Sequence, residues 1–295
     1  MTDPQPLASA AGAVDNEAFA FVQMLAAELS RGPVELPSFP DAAIKVRKVL
    51  ADDEVSIDSV QKAVGSEAAL AARIMQMANS AALNRSGRVV QDLKAAIARI
   101  GFNLVRSAAL VFAMSQMRKA QQLEPVRHLL QAHWQRSNKV AAFCHLVARK
   151  FTTVNPDTAL LAGLLHGVGR LYIISRMSKH PRLFANPVAF AAIERDWSEK
   201  ISTALLQNWG LDGAVLEAIG NHQDLARQHE GPADLSDVLT LAVLLASFHE
   251  YPGSLEINLQ NVSAVQKMRI DREAIDQMIA ESAEELATLQ AALSG

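Results

Sequence analysis

Apolar side chains recur every three to four residues along most of this chain, which is the repeat of α-helices that bury one face. The first such segment, 16–29, carries Phe19, Phe21, Val22 and Leu25 at apolar positions. The same repeat continues to the end of the sequence. We predict helices over 16–29, 40–50, 57–64, 66–79, 91–100, 103–119, 125–151, 156–166, 171–175, 197–209, 212–221, 235–248 and 271–293.

Glycine and proline separate these helices, because neither residue is favoured inside a helix. Gly65 and Gly101 are predicted to make turns, and the segment 167–169 breaks the chain after an apolar helix. Residues 1–13 contain two prolines and are predicted to be a flexible tail. A linker is predicted around Pro252, before the last helix.

Composition supports an all-α globular protein. Half of the residues are hydrophobic, 5% are aromatic and 20% are charged. Alanine and leucine dominate the apolar set, and both favour helices over strands. A largely disordered chain would carry more charge and fewer apolar residues. The net charge of −3 gives no reason to expect nucleic acid or an anionic membrane as a partner of the whole chain.

Cysteine content and apolar run length indicate the compartment. The single cysteine, Cys144, excludes an internal disulfide and fits a reducing cytosol. Uncharged apolar stretches reach about a dozen residues, whereas a membrane helix needs roughly 20. We therefore expect a soluble, cytoplasmic protein without membrane insertion.

The segment 57–79 has the spacing of a helix-turn-helix. A DNA-reading helix needs side chains that reach bases and phosphates. The second helix offers Arg73 as its cation and is otherwise mostly core-type residues, while Arg85 and Arg88 follow in a loop. We favour a buried helical hairpin, with nucleic-acid binding through 57–88 as an alternative.

The eight histidines are the first candidates for metal-binding residues, because helical metallohydrolases bring histidines and carboxylates together on a divalent metal. His166 and His222 each end a predicted helix, and His133 lies one turn from Arg136 on another. These four residues are the candidate ligand site. The spacing alone identifies no catalytic residue, metal or cofactor, and a lone histidine is more often a cap or a core residue. The other histidines are interpreted as surface, terminal or packing residues: His128, His145, His180, His229 and His249.

Short motifs occur in order over roughly residues 36–223. They are the lead-in Leu36-Pro37-Ser38-Phe39-Pro40, the helix end Ala78-Asn79-Ser80, Ala96-Ile97 before Gly101, Trp134-Gln135-Arg136-Ser137, Ala162-Gly163-Leu164-Leu165-His166 and Trp209-Gly210-Leu211 before His222. In this ordered set the chain resembles the HDOD family, the HD-related output domain of bacterial signalling proteins. Asn79, Ser80, Trp134 and Gly163 are motif residues of that pattern.

The resemblance implies a helical core similar to that of the HD phosphohydrolases, with an incomplete metal site. Carried over by position, the metal-binding His–Asp pair falls on His166 and Gly167. The first metal histidine falls at about Arg136, and the closing aspartate falls near Val243. One of the four expected ligands is retained. HD-type phosphohydrolase activity is therefore not expected, because a metal needs its ligands.

The resemblance also implies a domain organisation. We expect a tail and N-terminal helix over 1–32, an HDOD domain over 33–250, and a linker and C-terminal helix over 251–295. Within the domain, 33–120 is an N-terminal helical subregion and 121–250 is the HD-like subregion.

The expected function is a non-catalytic regulatory module that acts through protein contacts, in a family of which some members accompany cyclic dinucleotide signalling. The apolar terminal helices, 16–30 and 271–293, are candidates for partner or self-association, although packing onto the core is favoured. The alternative is a metal-dependent phosphohydrolase with a rearranged site at His133, His166 and His222. No cofactor is expected.

Overall fold

A computed structural model describes residues 5–31, 41–52, 54–79, 84, 87–117, 121–177, 179–180, 183, 186–211, 213–250, 259–281 and 283. These residues form thirteen α-helices and two short 3-10 helices and include no strand, so the predicted all-α class is confirmed. The helices are α1 (Gln5–Ser30), α2 (Asp41–Leu50), α3 (Ile57–Gly65), α4 (Ala68–Ala78), α5 (Leu93–Met117), α6 (Arg127–Phe151), α7 (Pro156–Leu165), α8 (Val168–Met177), α9 (Pro187–Asn208), α10 (Gly213–Asn221), α11 (Leu235–Glu250), α12 (Ser263–Met268) and α13 (Arg272–Glu281). The 3-10 helices are Gln121–Val126 and Leu259–Asn261.

Two hydrophobic clusters organise these helices, and α5 contributes to both. The smaller cluster lies among α2 to α5, where Val60, Leu70 and Ile97 are fully buried. The larger cluster joins α1, the C-terminal half of α5 and helices α6 to α13. Gly101 interrupts α5 with φ 77° and ψ 163°, so the predicted break at this glycine is confirmed as a kink.

Arg106 ties the two clusters together. Its Nη2 donates to the Leu50 carbonyl at 2.7 Å, and its Nη1 donates to the Gly210 carbonyl at 2.8 Å. The Arg47 guanidinium also lies 5.5 Å from the ring centroid of Trp209, beside the same turn. The turn that precedes α10 is therefore held against the smaller cluster.

Two glycines allow helices of the larger cluster to approach closely. A Cβ atom built on Gly163 would lie 2.5 Å from the Ala141 Cα, at the contact of α7 with α6. A Cβ atom on Gly169 would lie 1.9 Å from the Ser198 carbonyl oxygen, at the contact of α8 with α9. Real Cβ contacts are longer than these distances, so both positions require glycine.

Helix α1 packs on the larger cluster. Phe21 and Leu25 are fully buried there. The Tyr172 hydroxyl donates to the Glu28 carboxylate, and Arg176 lies 3.3 Å from the same carboxylate. The favoured interpretation of the N-terminal helix therefore agrees with its observed packing.

Helix α13 packs on the core in the same way. Its Ile275 and Met278 are buried, and Lys150 on α6 forms a 2.8 Å ion pair with Glu281. Over the residues that the structure describes, both terminal helices cover the domain.

Three predicted boundaries were wrong. Helix α1 begins at Gln5 and not at Asn16, so the flexible tail is wrong for 5–13, where alanines favour a helix and Pro6 fits the first turn. Helix α9 begins ten residues before the predicted 197, because Asn186 caps it with bonds from the Val188 and Ala189 amides.

The predicted linker of 251–270 also contains a helix, α12, whose Ala264 and Val265 are buried in the larger cluster. Several predicted features lie outside the described residues: the lead-in Leu36–Pro40, Ser80, Arg85, the linker around Pro252 and the end of the last helix beyond residue 283.

Two helical stretches, Leu93–Met117 and Pro156–Arg176, are long and apolar enough to cross a membrane by composition alone. However, 61% and 78% of their most apolar windows are buried inside the molecule. Core helices have this property, so the two stretches are weak support for a membrane span.

We predict that Gly163→Ala lowers the free energy of unfolding by about 1–3 kcal/mol, because the added methyl group overlaps backbone atoms of Ala141. The matched control is Gly220→Ala, since a Cβ on that helical glycine meets no atom within 4 Å. The control should be neutral or stabilising by up to about 1 kcal/mol. Urea denaturation measures both variants, and equal effects would contradict the proposed close contact.

Candidate functional site

The structure brings the four predicted site residues together from three helices. His133 and Arg136 lie on α6, His166 directly follows α7, and His222 directly follows α10. The His166 and His222 rings lie 5.9 Å apart between centroids and meet edge to face at 86°. His166 and Arg136 both act on the pKa of His133, which places all three in one neighbourhood.

Backbone carbonyls fix the orientation of two imidazoles. The His166 Nδ1 lies 2.7 Å from the Gly163 carbonyl oxygen, and the His222 Nδ1 lies 2.8 Å from the Ile219 carbonyl oxygen. A carbonyl can only accept, so each Nδ1 carries the hydrogen. In the neutral ring the lone pair is then on Nε2.

His133 occupies the space next to Gly167, the position to which the resemblance carries the missing aspartate. A Cβ atom on Gly167 would lie 2.4 Å from the His133 Cε1. The His133 side chain is 3% exposed, and its Nε2 has no hydrogen-bond partner among the described residues. The ring therefore excludes any side chain at position 167 and leaves a buried polar atom unsatisfied.

The environment keeps these imidazoles uncharged. Burial and then the nearby His222 lower the pKa of His166 to about 3, opposed by the hydrogen bond to the Gly163 carbonyl and assisted by the charges of Arg136 and Arg170.

The same causes act on the neighbouring rings. Burial lowers the pKa of His133 well below its usual range, and the charges of Arg170, His166 and Arg136 add to this. Burial also lowers the pKa of His222.

The two arginines are oriented by neighbours. The Arg136 Nη2 donates to the Ser247 Oγ at 2.6 Å, and this hydroxyl donates to the Val243 carbonyl at 2.9 Å. The Arg170 Nε lies 2.9 Å from a Glu194 carboxylate oxygen. We call His133, Arg136, His166, Arg170 and His222 the histidine–arginine cluster.

The histidine–arginine cluster does not reproduce an HD metal site. At the carried-over positions, Arg136 and Gly167 offer no ligand atom and Val243 offers only its backbone carbonyl, which accepts from Ser247. Two guanidinium groups near His166 also oppose a cation.

A second group of potential ligands was not predicted from the sequence. Ligand atoms of His229, Asp234 and Asp237 lie within 4.8 Å of one another. His229 was predicted to be a surface residue, yet its Nε2 lies 2.8 Å from Asp237. The Asp234-Leu235-Ser236-Asp237 pattern before an apolar helix could have indicated the group, because it resembles a capping box.

This acidic group is already engaged as the cap of α11. The Asp234 carboxylate accepts from the Asp237 amide, and the Asp237 carboxylate accepts from the Asp234 amide. Arg227 donates to both Asp234 oxygens, at 3.0 Å and 2.6 Å. The bidentate pair neutralises the charge that a metal would need, so we assign this group a structural role.

Two other motif residues, Asn79 and Trp134, have structural contacts. Asn79 closes the loop after α4, since its Oδ1 accepts from the Val90 amide at 2.7 Å and its Nδ2 donates to the Val90 carbonyl at 2.9 Å. Trp134 is buried in the larger cluster. Burial raises the pKa of the Cys144 thiol, so it is a poor nucleophile.

Comparison with solved structures identifies several similar folds. A protein from Shewanella amazonensis SB2B, provisionally assigned as a metal-dependent phosphohydrolase, is 25% identical with a TM-score of 0.69; the match covers 95% of this chain and 99% of that one. An HDOD domain protein of unknown function from Geobacter sulfurreducens is 23% identical with a TM-score of 0.58, over 92% and 96% of the two chains.

A third structure, a provisionally assigned signal transduction protein from Marinobacter aquaeolei VT8, is 20% identical with a TM-score of 0.55. That match covers 94% of this chain and 66% of the other. No functionally curated protein matches the sequence at a significant level.

The sequence profile of the HDOD domain matches residues 36–225, which is more than half of the chain and includes all four predicted site residues. The match begins at the proline lead-in and ends just after His222. The chain therefore belongs to the HDOD domain family.

Proposed function

We propose that this chain is a non-catalytic signal-transduction module that acts through contacts with protein partners in the cytoplasm. The observation that carries the proposal is the His133 ring over Gly167, which fills the space of the missing metal-binding aspartate. A metal-dependent hydrolase needs that carboxylate or a substitute, because the protein must fix the coordination geometry of the metal.

Charge at the site supports the same conclusion. The resemblance carries a metal histidine to position 136, where this chain has an arginine that donates to Ser247. A guanidinium cannot be deprotonated in a protein and cannot act as a ligand. The substitution replaces an atom that attracts a metal by a group that repels it.

Exposed apolar side chains offer surfaces for protein contacts. Phe19 on α1 is 64% exposed and Val188 on α9 is 77% exposed, whereas Phe21 and Ile193 on the same helices are buried. Large exposed apolar residues on a folded domain are compatible with binding another protein. The partner is expected in a signalling pathway, with cyclic dinucleotide signalling as one family association.

The alternative is a phosphohydrolase with a rearranged metal site at His133, His166 and His222. One observation favours it: the Nδ1 atoms of His166 and His222 face carbonyls, the orientation common among metal-binding imidazoles. The two neighbouring arginines count against it, so we rank it second.

Nucleic-acid binding through 57–88 is less favoured. The exposed positions of α4 include Ala68, Ala69 and Ala72, which offer nothing to a phosphate backbone. Leu70 and Ile74 are buried in the smaller cluster, as in a packed hairpin.

Metal content and turnover test the proposal directly. We expect the full chain, purified without chelator, to contain well below one transition-metal ion per molecule by mass spectrometry. It should not hydrolyse p-nitrophenyl phosphate or a cyclic dinucleotide. Stoichiometric metal together with turnover that His166→Asn abolishes would establish the alternative.

The protein-contact part of the proposal has its own readout. A photo-crosslinking amino acid at position 19 or 188 should give a discrete crosslinked protein in cells, whereas the same group at the exposed position 76 should not. Monomeric, uncrosslinked protein at all three positions would contradict contacts through these surfaces.

We predict that Gly167→Asp does not restore a metal site. It should lower the free energy of unfolding by about 1–3 kcal/mol, because the new side chain overlaps the His133 ring. In a His133→Ala background the same substitution should cost at least about 1 kcal/mol less, a coupling expected for residues in contact. Denaturation of the four proteins measures this coupling, and additive effects would show that His133 does not fill the space.

We predict that stability falls as the pH falls below 6.5. The unfolded His166 takes up a proton near pH 6.5, while the folded residue, with a pKa of about 3, does not. Lowering the pH from 6 to 5 should therefore remove about 1 kcal/mol through His166 alone. The free energy of unfolding continues to fall through His166 as the pH is lowered, until the pH reaches the folded pKa.

Thermal or urea unfolding between pH 5 and 7 measures this dependence. His166→Asn should reduce the slope, whereas His128→Asn at an exposed position should not. An unchanged slope in His166→Asn would mean that this imidazole is not held neutral.

A further inference from the structure

We propose that Arg106 couples the smaller cluster to His166 and His222, so that a protein partner bound to α2–α4 changes the candidate site. This coupling rests on the proposed function, because it supplies the route by which a signalling module would transmit a contact made at one end of the domain. We call the two hydrogen bonds of Arg106, to the carbonyls of Leu50 and Gly210, the arginine bridge.

The arginine bridge joins the ends of two helices that belong to different clusters. Leu50 is the last residue of α2, and Gly210 lies in the turn after α9. Carbonyls at the C-terminus of a helix lack intrahelical partners and carry the negative end of the helix dipole, so a cation is favoured there. The Arg106 guanidinium fills this role for α2 and holds the α9 turn with the same group. It can do both only while the two clusters keep their relative positions.

The turn that presents the Gly210 carbonyl has a fixed shape. Gly210 has φ 69°, and its amide donates to the Gln207 carbonyl at 2.9 Å. The Leu211 amide donates to the Leu206 carbonyl at 3.0 Å. This is the Schellman pattern, which ends a helix at a glycine in the left-handed conformation. A Cβ atom on Gly210 would lie 3.8 Å from the Arg106 Cζ, so the guanidinium packs directly against the turn.

Helix α2 meets the same turn beside the arginine bridge. The Arg47 guanidinium lies 5.5 Å from the Trp209 ring centroid, and Ala43, one turn earlier on α2, is buried in the larger cluster. These contacts combine directional polar interactions with a small apolar side chain. Because separating them exposes little apolar surface, they can open at a smaller cost than the packing inside either cluster.

Helix α9 connects the turn to His166. Ser202 on α9 lies about two turns before Trp209. Its Oγ accepts from the Gly169 amide at 2.8 Å and lies 3.4 Å from the His166 carbonyl oxygen. The close approach of α9 at Gly169 leaves no room for a Cβ atom. A displacement of α9 would therefore move the backbone on both sides of Gly167.

Helix α10 connects the turn to His222. It begins at Gly213, three residues after Gly210, and His222 directly follows its last residue. The Thr240 Oγ donates to the His222 carbonyl at 3.0 Å, and the His222 ring meets the His166 ring edge to face. Because a helix moves as a rigid element, a shift at the start of α10 reaches His222 at its end. Both histidines are thus linked to the arginine bridge by packed helices.

NMR of the histidine ring protons in the full chain tests the link to the candidate site. We expect the His166 and His222 signals to shift in Arg106→Gln. The matched control is Arg99→Gln, since Arg99 also lies on α5 and donates to a helix-end carbonyl, that of Ala78, but within the smaller cluster. The control should leave both histidine signals unchanged.

Hydrogen–deuterium exchange followed by mass spectrometry tests the coupling itself. Arg106→Gln should speed exchange of the α10 amides roughly tenfold, because a hydrogen bond from a charged group is lost. Ile97→Val removes a methylene from a fully buried side chain of the smaller cluster, and should speed exchange in α4 and in α10 by about threefold. In the Arg106→Gln background it should still act on α4 but no longer on α10.

Three results would overturn the coupling: unchanged histidine signals in folded Arg106→Gln, no effect of Ile97→Val on α10, or an effect on α10 that persists without Arg106. If Arg106→Gln fails to fold, Arg106→Lys replaces it, since lysine keeps the charge but lacks the planar fork. Metal-free, inactive protein with any of these results overturns this inference alone. Stoichiometric metal with turnover overturns the proposed function, whatever the exchange rates are.

Discussion

The close approach of the His133 ring to Gly167 is the packing constraint on which the arrangement of the candidate site depends. Space at position 167 is limited by the ring, with an added Cβ only 2.4 Å from the imidazole. The ring is 3% exposed, so a side chain at position 167 requires the His133 side chain to move within a close-packed interior. Glycine at position 167 supplies no carboxylate, and the His133 ring on α6 occupies the space that an aspartate there would need.

The glycines of the larger cluster make that contact possible. Gly163 lets α7 approach α6 at Ala141, and Gly169 lets α8 approach α9 at Ser198. His166 and Gly167 lie between these two contacts, so their positions are fixed from both sides. The packing geometry around His166 therefore depends on glycine at both contacts. In physical terms, the glycines determine how closely the helices approach, and the position of His166 follows from that approach.

Local patterns were enough to predict the fold class and most helices, because the apolar repeat and the glycine breaks act over a few residues. They failed where a local preference was underestimated, as at the alanine-rich start of α1 and the Asn186 cap of α9. The four site residues were identified individually as helix-end or one-turn-apart polar groups. Which of them would lie over Gly167 could not be predicted, since His133 and Arg136 share a face of α6 and only tertiary packing decides between them. The His229 group was missed for the same reason, because its members lie on a loop and a helix start.

The electrostatic consequence extends beyond the loss of a metal. A metal site concentrates positive charge on an ion that carboxylates hold; here the carboxylates are absent from the carried-over positions and arginine supplies the positive charge. The neutral imidazoles cannot easily balance the charge of a nearby anion by taking up a proton, since burial disfavours their protonated form. They can instead accept hydrogen bonds. Guanidinium groups can bind an anion, but they do not supply the activated water that metal-dependent hydrolysis requires.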